Sequence, residues 1–136
     1  MRKALLFILV ILSLSSLSAS EARDLEGRWF LAARTPIGVK YGYLDIAFTD
    51  QSAFEGTINI FKHDNSFSDG VLSGDGFSFS GTIRFIFSRI PFKATGTIRE
   101  GYAEAVIEAG GRKMGALASR DEEKLAECVK RGFPDE

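Results

Sequence analysis

Hydrophobic and polar residues alternate along residues 27–120, in short segments separated by turn residues. A period of two is typical of β-strands with one buried face, and this range lacks the 3.6-residue period of an amphipathic helix. About eight strands are predicted, at residues 28–35, 39–48, 53–63, 66–72, 77–88, 92–98, 102–109 and 112–119. Because every connection is short enough for a hairpin, the pattern predicts consecutive antiparallel strands.

A short phrase occurs three times within these strands and carries a glycine each time, at Gly56, Gly81 and Gly96. Glycine packs no side chain and loses much backbone freedom in a strand, so its recurrence at one phase indicates bends that curve a sheet. A twisted sheet of eight strands with one apolar face closes on itself or packs against a second sheet. We predict an all-β fold, a single antiparallel up-and-down barrel of about eight strands.

Side chains alternate between the two faces of a strand, so parity selects those that face the barrel interior. All three repeat glycines have the interior parity. Seven phenylalanines share it and are the candidate ligand-binding residues: Phe48, Phe54, Phe77, Phe79, Phe85, Phe87 and Phe92. The opposite parity places five apolar or amphipathic residues on the outside: Phe30, Tyr41, Tyr43, Phe61 and Ile86. Such residues are either scattered over a monomer or clustered as an interface.

The first 22 residues have the pattern of a secretory signal peptide. Arg2 and Lys3 precede an apolar run at residues 4–14, and small residues then allow cleavage after Ala19 or Ala22. A bilayer span takes roughly 20 apolar residues, so this run is too short to be a stable membrane anchor. We expect a secreted or periplasmic protein with a barrel domain at residues 23–120.

A short C-terminal α-helix is predicted within residues 121–136. Ser119 can cap its first turn, and Glu122, three residues later, completes the capping-box pattern that begins a helix. Gly132 fits the left-handed position that ends a helix. The apolar stripe of this helix either docks on the barrel or is presented to a partner.

Cys128, on the same helix, is the only cysteine of the chain, so no intrachain disulfide can form. The thiol is either a half-buried apolar group or the site of an intermolecular disulfide that links a dimer.

Charge and composition exclude further classes of protein. The formal net charge is −1, and cleavage after Ala19 lowers it to about −3. A protein with this balance has no evident attraction to nucleic acid or anionic lipid. About 115 mature residues form one domain that can bury a core without disulfides.

Polar residues with catalytic or metal-binding potential are few. His63 beside Asp64 is the only histidine–carboxylate neighbour pair, and one histidine cannot build a histidine-rich metal site. Asp69 and Asp75 flank a short strand next to glycines, where turn formation explains them before calcium binding does. We predict no enzymatic activity, no cofactor and no metal site.

The ends of the barrel segment resemble the lipocalins and the wider calycin group. Gly27-Arg28-Trp29 opens the first strand and Arg120 follows the last, which is similar to the Gly-x-Trp motif and C-terminal basic residue of those families. The resemblance implies that Gly27, Trp29 and Arg120 form the barrel floor, with the guanidinium over the indole. The chain is shorter than a classical lipocalin, and the turn at residues 35–38 replaces the long first loop.

Two functions follow from the expected interior. An eight-stranded barrel is just wide enough to be filled by its own side chains or to hold one small ligand. The resemblance favours an exported barrel that binds a small apolar or amphipathic ligand, in the half away from Trp29. The alternative is a protein-interaction module, an inhibitor or envelope component, with a solid core and a contact through its loops or outer aromatic patch.

Overall fold

A closed barrel of eight antiparallel strands, with one helix on its outside, makes up the computed structural model of the protein, which describes residues 25–134. The strands are β1 (Gly27–Thr35), β2 (Gly38–Phe48), β3 (Ala53–Ile60), β4 (His63–Ser73), β5 (Gly76–Phe85), β6 (Ser88–Arg99), β7 (Tyr102–Ala109) and β8 (Arg112–Ser119). The helix is α1 (Glu122–Arg131). The predicted signal peptide lies outside the described residues.

Each strand pairs with the next in sequence, and β1 pairs with β8 from Phe30 opposite Ser119 to Ala33 opposite Ala116. The predicted up-and-down barrel is therefore confirmed. We call the end where β1 begins and β8 ends the floor end. The opposite end, formed by the turns at residues 36–37, 61–62, 86–87 and 110–111, is the hairpin end.

The predicted interior position of Phe87 is wrong. β5 ends at Phe85 and β6 begins at Ser88, so Ile86 and Phe87 form a two-residue turn with Ile86 at φ 55°. A positive φ reverses the chain, and the alternation of faces stops there. Phe87 is consequently fully exposed, at 101% of its reference area.

A turn also changes the position of Phe61, which was predicted to face outward. Phe61 and Lys62 both have positive φ and connect β3 to β4. The Phe61 ring folds over the hairpin end of the barrel, where its centroid lies 4.6 Å from that of Phe85. Ile86 and Tyr41 are exposed, as predicted.

Large rings in the core face glycines on neighbouring strands. The directly opposed pairs are Phe54 with Gly70, Phe67 with Gly56, Phe92 with Gly81, and Phe77 with Gly96. The three repeat glycines thus face the interior, and each lies against a ring. Because a glycine leaves room above its backbone, these pairs let bulky rings fill a narrow barrel.

The ladder between β4 and β5 is the shortest in the barrel, with three opposed pairs from Val71 with Ser78 to Ser73 with Gly76. Beyond them, side chains of β4 take the place of main-chain partners. Asp69 accepts hydrogen bonds from the Ser80 amide (2.8 Å) and hydroxyl, and the Asn65 Oδ1 accepts one from the Arg84 amide (2.8 Å).

The helix packs on the outside of the barrel, where Leu125 and Cys128 are buried against Ala32 and Leu117. Its N-cap is Asp121, whose carboxylate accepts from the amides of residues 123 and 124. The predicted cap, Ser119, belongs instead to the end of β8, and its hydroxyl donates to the Gly101 carbonyl. Asp121 lies two residues closer to the helix and has the extended backbone of an N-cap residue, which spacing alone did not distinguish.

Candidate ligand-binding cavity

The floor end is built from the three residues that the sequence assigned to it. The Trp29 indole is 7% exposed, and its Nε1 donates to the Leu25 carbonyl at 2.9 Å. The Arg120 guanidinium carbon lies 5.7 Å from the centre of the indole, within cation–π range, and its Nη1 donates to the Glu26 carbonyl. At Gly27, with φ 104°, an added Cβ would lie 3.0 Å from the Arg120 Nη2. These contacts fix the Trp29 side chain at this end of the barrel.

An apolar cavity of about 60 Å³ lies in the half of the barrel that contains Trp29. Four of the predicted phenylalanines line it: Phe48, Phe54, Phe77 and Phe79. The remaining wall is aliphatic and includes Leu31, Leu44, Ile58, Ala94, Ala105 and Ile107. With hydrocarbon on every side, the cavity favours apolar groups over water, which needs two to four polar partners.

Ring contacts limit the cavity. Phe79 stacks on Phe67 with centroids 4.3 Å apart, and Phe54 meets Phe79 edge-on at 5.9 Å. A volume of about 60 Å³ exceeds the roughly 10–15 Å³ that one water molecule requires and is smaller than an apolar cavity of about 150 Å³ that holds benzene. The cavity therefore accommodates a narrow apolar group, and a larger one requires a ring to move. Phe48 and Phe77 are only half-buried, so they are the rings with room to move.

The other predicted phenylalanines lie elsewhere. Phe92 is 4% exposed and packs on Gly81 and on the edge of Phe79, outside the cavity wall. Phe85 belongs to the hairpin end, and Phe87 points into solvent. The seven candidates thus form four cavity residues, one core residue, one residue of the opposite end and one surface residue.

A second apolar space of about 240 Å³ is recessed into the hairpin end. Its wall includes Phe61, Ile83, Phe85, Ile90 and Met114, and Arg112 lies at its edge. It shares no lining residue with the cavity. The sequence placed the ligand in the half away from Trp29, whereas the cavity that the predicted rings enclose is in the Trp29 half.

The acidic candidates have structural partners. Asp64 accepts from the Asn59 side chain (2.8 Å) and the Tyr43 hydroxyl (2.9 Å), and these bonds lower its pKa. The Ser80 hydroxyl and amide likewise hold the pKa of Asp69 below its ordinary value. Asp75 lies exposed in the β4–β5 turn. Within residues 25–134, no three histidine, cysteine or acidic side chains are close enough together to hold a metal ion.

Parity analysis missed Phe67 and Asn65, which are 4% and 8% exposed on the inner face of β4. The reason is an extra residue in β4: Phe54 faces Gly70 while Gly56 faces Phe67, so three steps along β4 match two along β3. Such a bulge interrupts the alternation on which parity depends. The turn-forming residues Ser68, Asp69 and Gly70 inside an apolar segment are the signal that could have revealed it.

No helix within residues 25–134 combines the length and hydropathy that crossing a bilayer requires. Compared with known proteins, the chain matches no family model, no curated sequence and no solved structure. The closed eight-stranded barrel with a C-terminal helix is compatible with a calycin-like fold, and the geometry of the cavity is the basis for a functional assignment.

Proposed function

We propose that the protein is an exported, lipocalin-like barrel that binds the apolar part of a small apolar or amphipathic molecule. The observation that carries this proposal is the cavity beside Trp29, which is lined by aromatic and aliphatic side chains alone. Ligand sites of this kind are mostly apolar and concave, and small barrels place them in their interior. Export rests on the pattern of the first 22 residues, and the absence of a catalytic cluster from the sequence analysis favours binding over an enzymatic role.

The cavity volume restricts the ligand. A narrow alkyl group fits the cavity as it stands, whereas a ring requires Phe48 or Phe77 to turn outward. Phe77 lies over Gly96, which has no side chain of its own to oppose its movement. We therefore expect short linear alkyl groups to bind better than aromatic compounds of equal carbon number.

The test compares two substitutions on one strand. Ala105 lines the cavity and Ala109, on the same face of β7, lines the hairpin-end recess. With n-hexanol as the probe, NMR titration should shift the methyl signals of Ile58 and Ile107, both buried in the cavity wall. Ala105→Leu should weaken binding at least tenfold, and Ala109→Leu should leave it unchanged.

Thermal unfolding of both variants checks that the fold is retained. If Ala105→Leu does not fold, Phe77→Leu tests the same space in the opposite sense, because a smaller side chain there should strengthen binding of larger alcohols. Loss of binding only in Ala109→Leu would move the ligand to the recess. No methyl shift with any alcohol would reject the binding function.

A protein-interaction module is the second candidate. It is favoured by the exposed apolar side chains at the hairpin end, including Ile37, Ile86 and Phe87. This candidate would be supported if neither apolar space bound n-hexanol while the hairpin end still bound a protein partner.

A further inference from the structure

Two turns at the hairpin end carry exposed apolar side chains. Phe87 and Ile86, at the tip of the β5–β6 hairpin, are 101% and 66% exposed, and Ile37, in the β1–β2 turn, is 58% exposed. Val39 continues this surface at the start of β2. Large apolar residues that project from turns into water have no role in the core, so several of them at one end of the barrel indicate a contact surface.

Basic side chains surround these turns. The exposed ones include Lys62, Arg84, Arg89, Arg112 and Lys113. Arg84 and Arg89 face each other directly across the β5–β6 ladder, on either side of the Ile86–Phe87 tip. Like charges in opposed positions destabilise a hairpin, so the pair costs folding free energy that a bound anion would offset.

Acidic groups are few at this end and have partners close by. Asp64 accepts from Asn59 and Tyr43, and Glu108 lies 3.9 Å from Lys113. The exposed acidic residues of the turns and helix start are at the floor end instead: Asp50, Asp75, Glu100, Asp121, Glu122 and Glu123. The nearly balanced total charge of the chain therefore conceals a basic end and an acidic end.

We propose that the hairpin end docks reversibly on an anionic lipid bilayer. In this arrangement the side chains of Phe87, Ile86 and Ile37 enter the headgroup region, and the arginine and lysine side chains contact lipid phosphates. Apolar groups flanked by cations are the combination that binds membrane surfaces, with a contribution from buried area and one from each basic residue. The acidic floor end is repelled by the same surface, which fixes the orientation of the barrel.

The chemistry of the tips favours lipid over other anionic partners. Ile37, Ile86 and Val39 offer hydrocarbon that cannot stack on nucleobases, which argues against single-stranded nucleic acid. The apolar groups project from two separate turns rather than forming one flat patch, and a deformable headgroup layer accepts projecting side chains. This proposal does not depend on whether the cavity binds a ligand, and it concerns reversible adsorption rather than an anchor.

Vesicle co-sedimentation tests the proposal. The protein is used in the form that expressing cells release, and mass spectrometry identifies its first residue. Vesicles of phosphatidylcholine with phosphatidylglycerol are compared with vesicles of phosphatidylcholine alone. Binding should require the anionic lipid and should decrease at high salt. Phe87→Ser should weaken binding at least fivefold, because a fully exposed phenylalanine has only the bilayer to bury it. Its control, Val71→Ser, removes another exposed apolar side chain, 50% exposed, near the floor end.

A second pair of variants tests the contribution of the basic side chains, and both variants change the net charge by the same amount. Arg84→Gln with Arg89→Gln should weaken binding roughly 25-fold, since each basic residue near the surface contributes about fivefold. Lys130→Gln with Arg131→Gln, on the helix, should have less than a quarter of that effect. Four results would each overturn the proposal: no binding to anionic vesicles, equal binding to neutral ones, equal effects of a variant and its control, or sensitivity to the arginines without sensitivity to Phe87. The last of these would indicate a soluble anion or nucleic acid as the partner.

Discussion

Phe77 on β5 lies directly opposite Gly96 on β6, and its ring occupies the space that a side chain at position 96 would take. A Cβ at Gly96 would lie 2.6 Å from the Phe77 Cζ and 2.3 Å from the Glu104 carbonyl oxygen. The second contact is with the main chain of β7, which cannot move without breaking its ladder. The glycine is thus required by steric contact and not by its backbone angles.

Gly96→Ala should therefore lower the free energy of unfolding by about 1–3 kcal/mol, the usual cost of overpacking. Gly76→Ala is the control, because the nearest atom to its added Cβ is 3.5 Å away. Urea denaturation of the two variants measures the difference. Equal stability of the two would show that β6 and β7 can separate to admit a methyl group.

Trp29 and Arg120 should be energetically coupled, since the guanidinium lies over the indole and also bonds to the Glu26 carbonyl. In a double-mutant cycle with Trp29→Phe and Arg120→Ala, we expect a coupling of about 0.5–1 kcal/mol, typical of a cation–π contact. Trp29→Phe alone should lower the free energy of unfolding by about 1 kcal/mol more than this coupling energy, because the Leu25 carbonyl loses its hydrogen-bond donor. Additive effects of the two substitutions would mean that the contact contributes nothing to stability.

Asp69 should contribute to the acid sensitivity of the fold. Its bonds to Ser80 lower its pKa in the folded state, so the stability it provides is present above the unfolded pKa, near 3.9, and is lost as the pH falls through the lower folded value. Asp69→Asn should therefore be less stable than the wild type at pH 7, and the difference should shrink below about pH 4. Chemical denaturation across this range measures it, with Asp75→Asn, an exposed carboxylate in the next turn, as control. A difference that is constant with pH would contradict the assignment.

Cys128 should be chemically protected. It is 3% exposed beneath the helix, against Ala32 and Leu117. A thiol reagent should label it only after unfolding, and Cys128→Ala should cost about 1 kcal/mol through the lost packing. Rapid labelling of the native protein, or a disulfide-linked dimer on a non-reducing gel, would show that the helix leaves the barrel.

The barrel was predictable because its signals are local. Alternation with a period of two identifies all eight strands within a few residues of their observed ends, and short turn sequences require neighbouring strands to pair. The contact between the floor residues Trp29 and Arg120 was expected from the resemblance to the lipocalins, whose Gly-x-Trp motif and C-terminal basic residue lie at the two ends of the strand series. Phe87 was placed wrongly because the alternation of faces was extended through residues 86–87, whereas a positive φ at Ile86 ends the strand there. Phe67 was missed because one extra residue in β4 shifts the phase.

The number and order of the strands, the helix and most of the inward rings follow from the amino-acid pattern alone, because each depends on neighbours a few residues apart. The pairing of rings with glycines, the empty volume of the interior and the distribution of charges between the two ends depend on the three-dimensional packing. Ring–glycine pairing depends on strand register, which a single bulge changes. The cavity volume is the small difference between the volume of the barrel interior and the volume of the side chains that fill it. The segregation of charge arises because alternate turns lie at opposite ends, so a nearly balanced total charge conceals two oppositely charged surfaces.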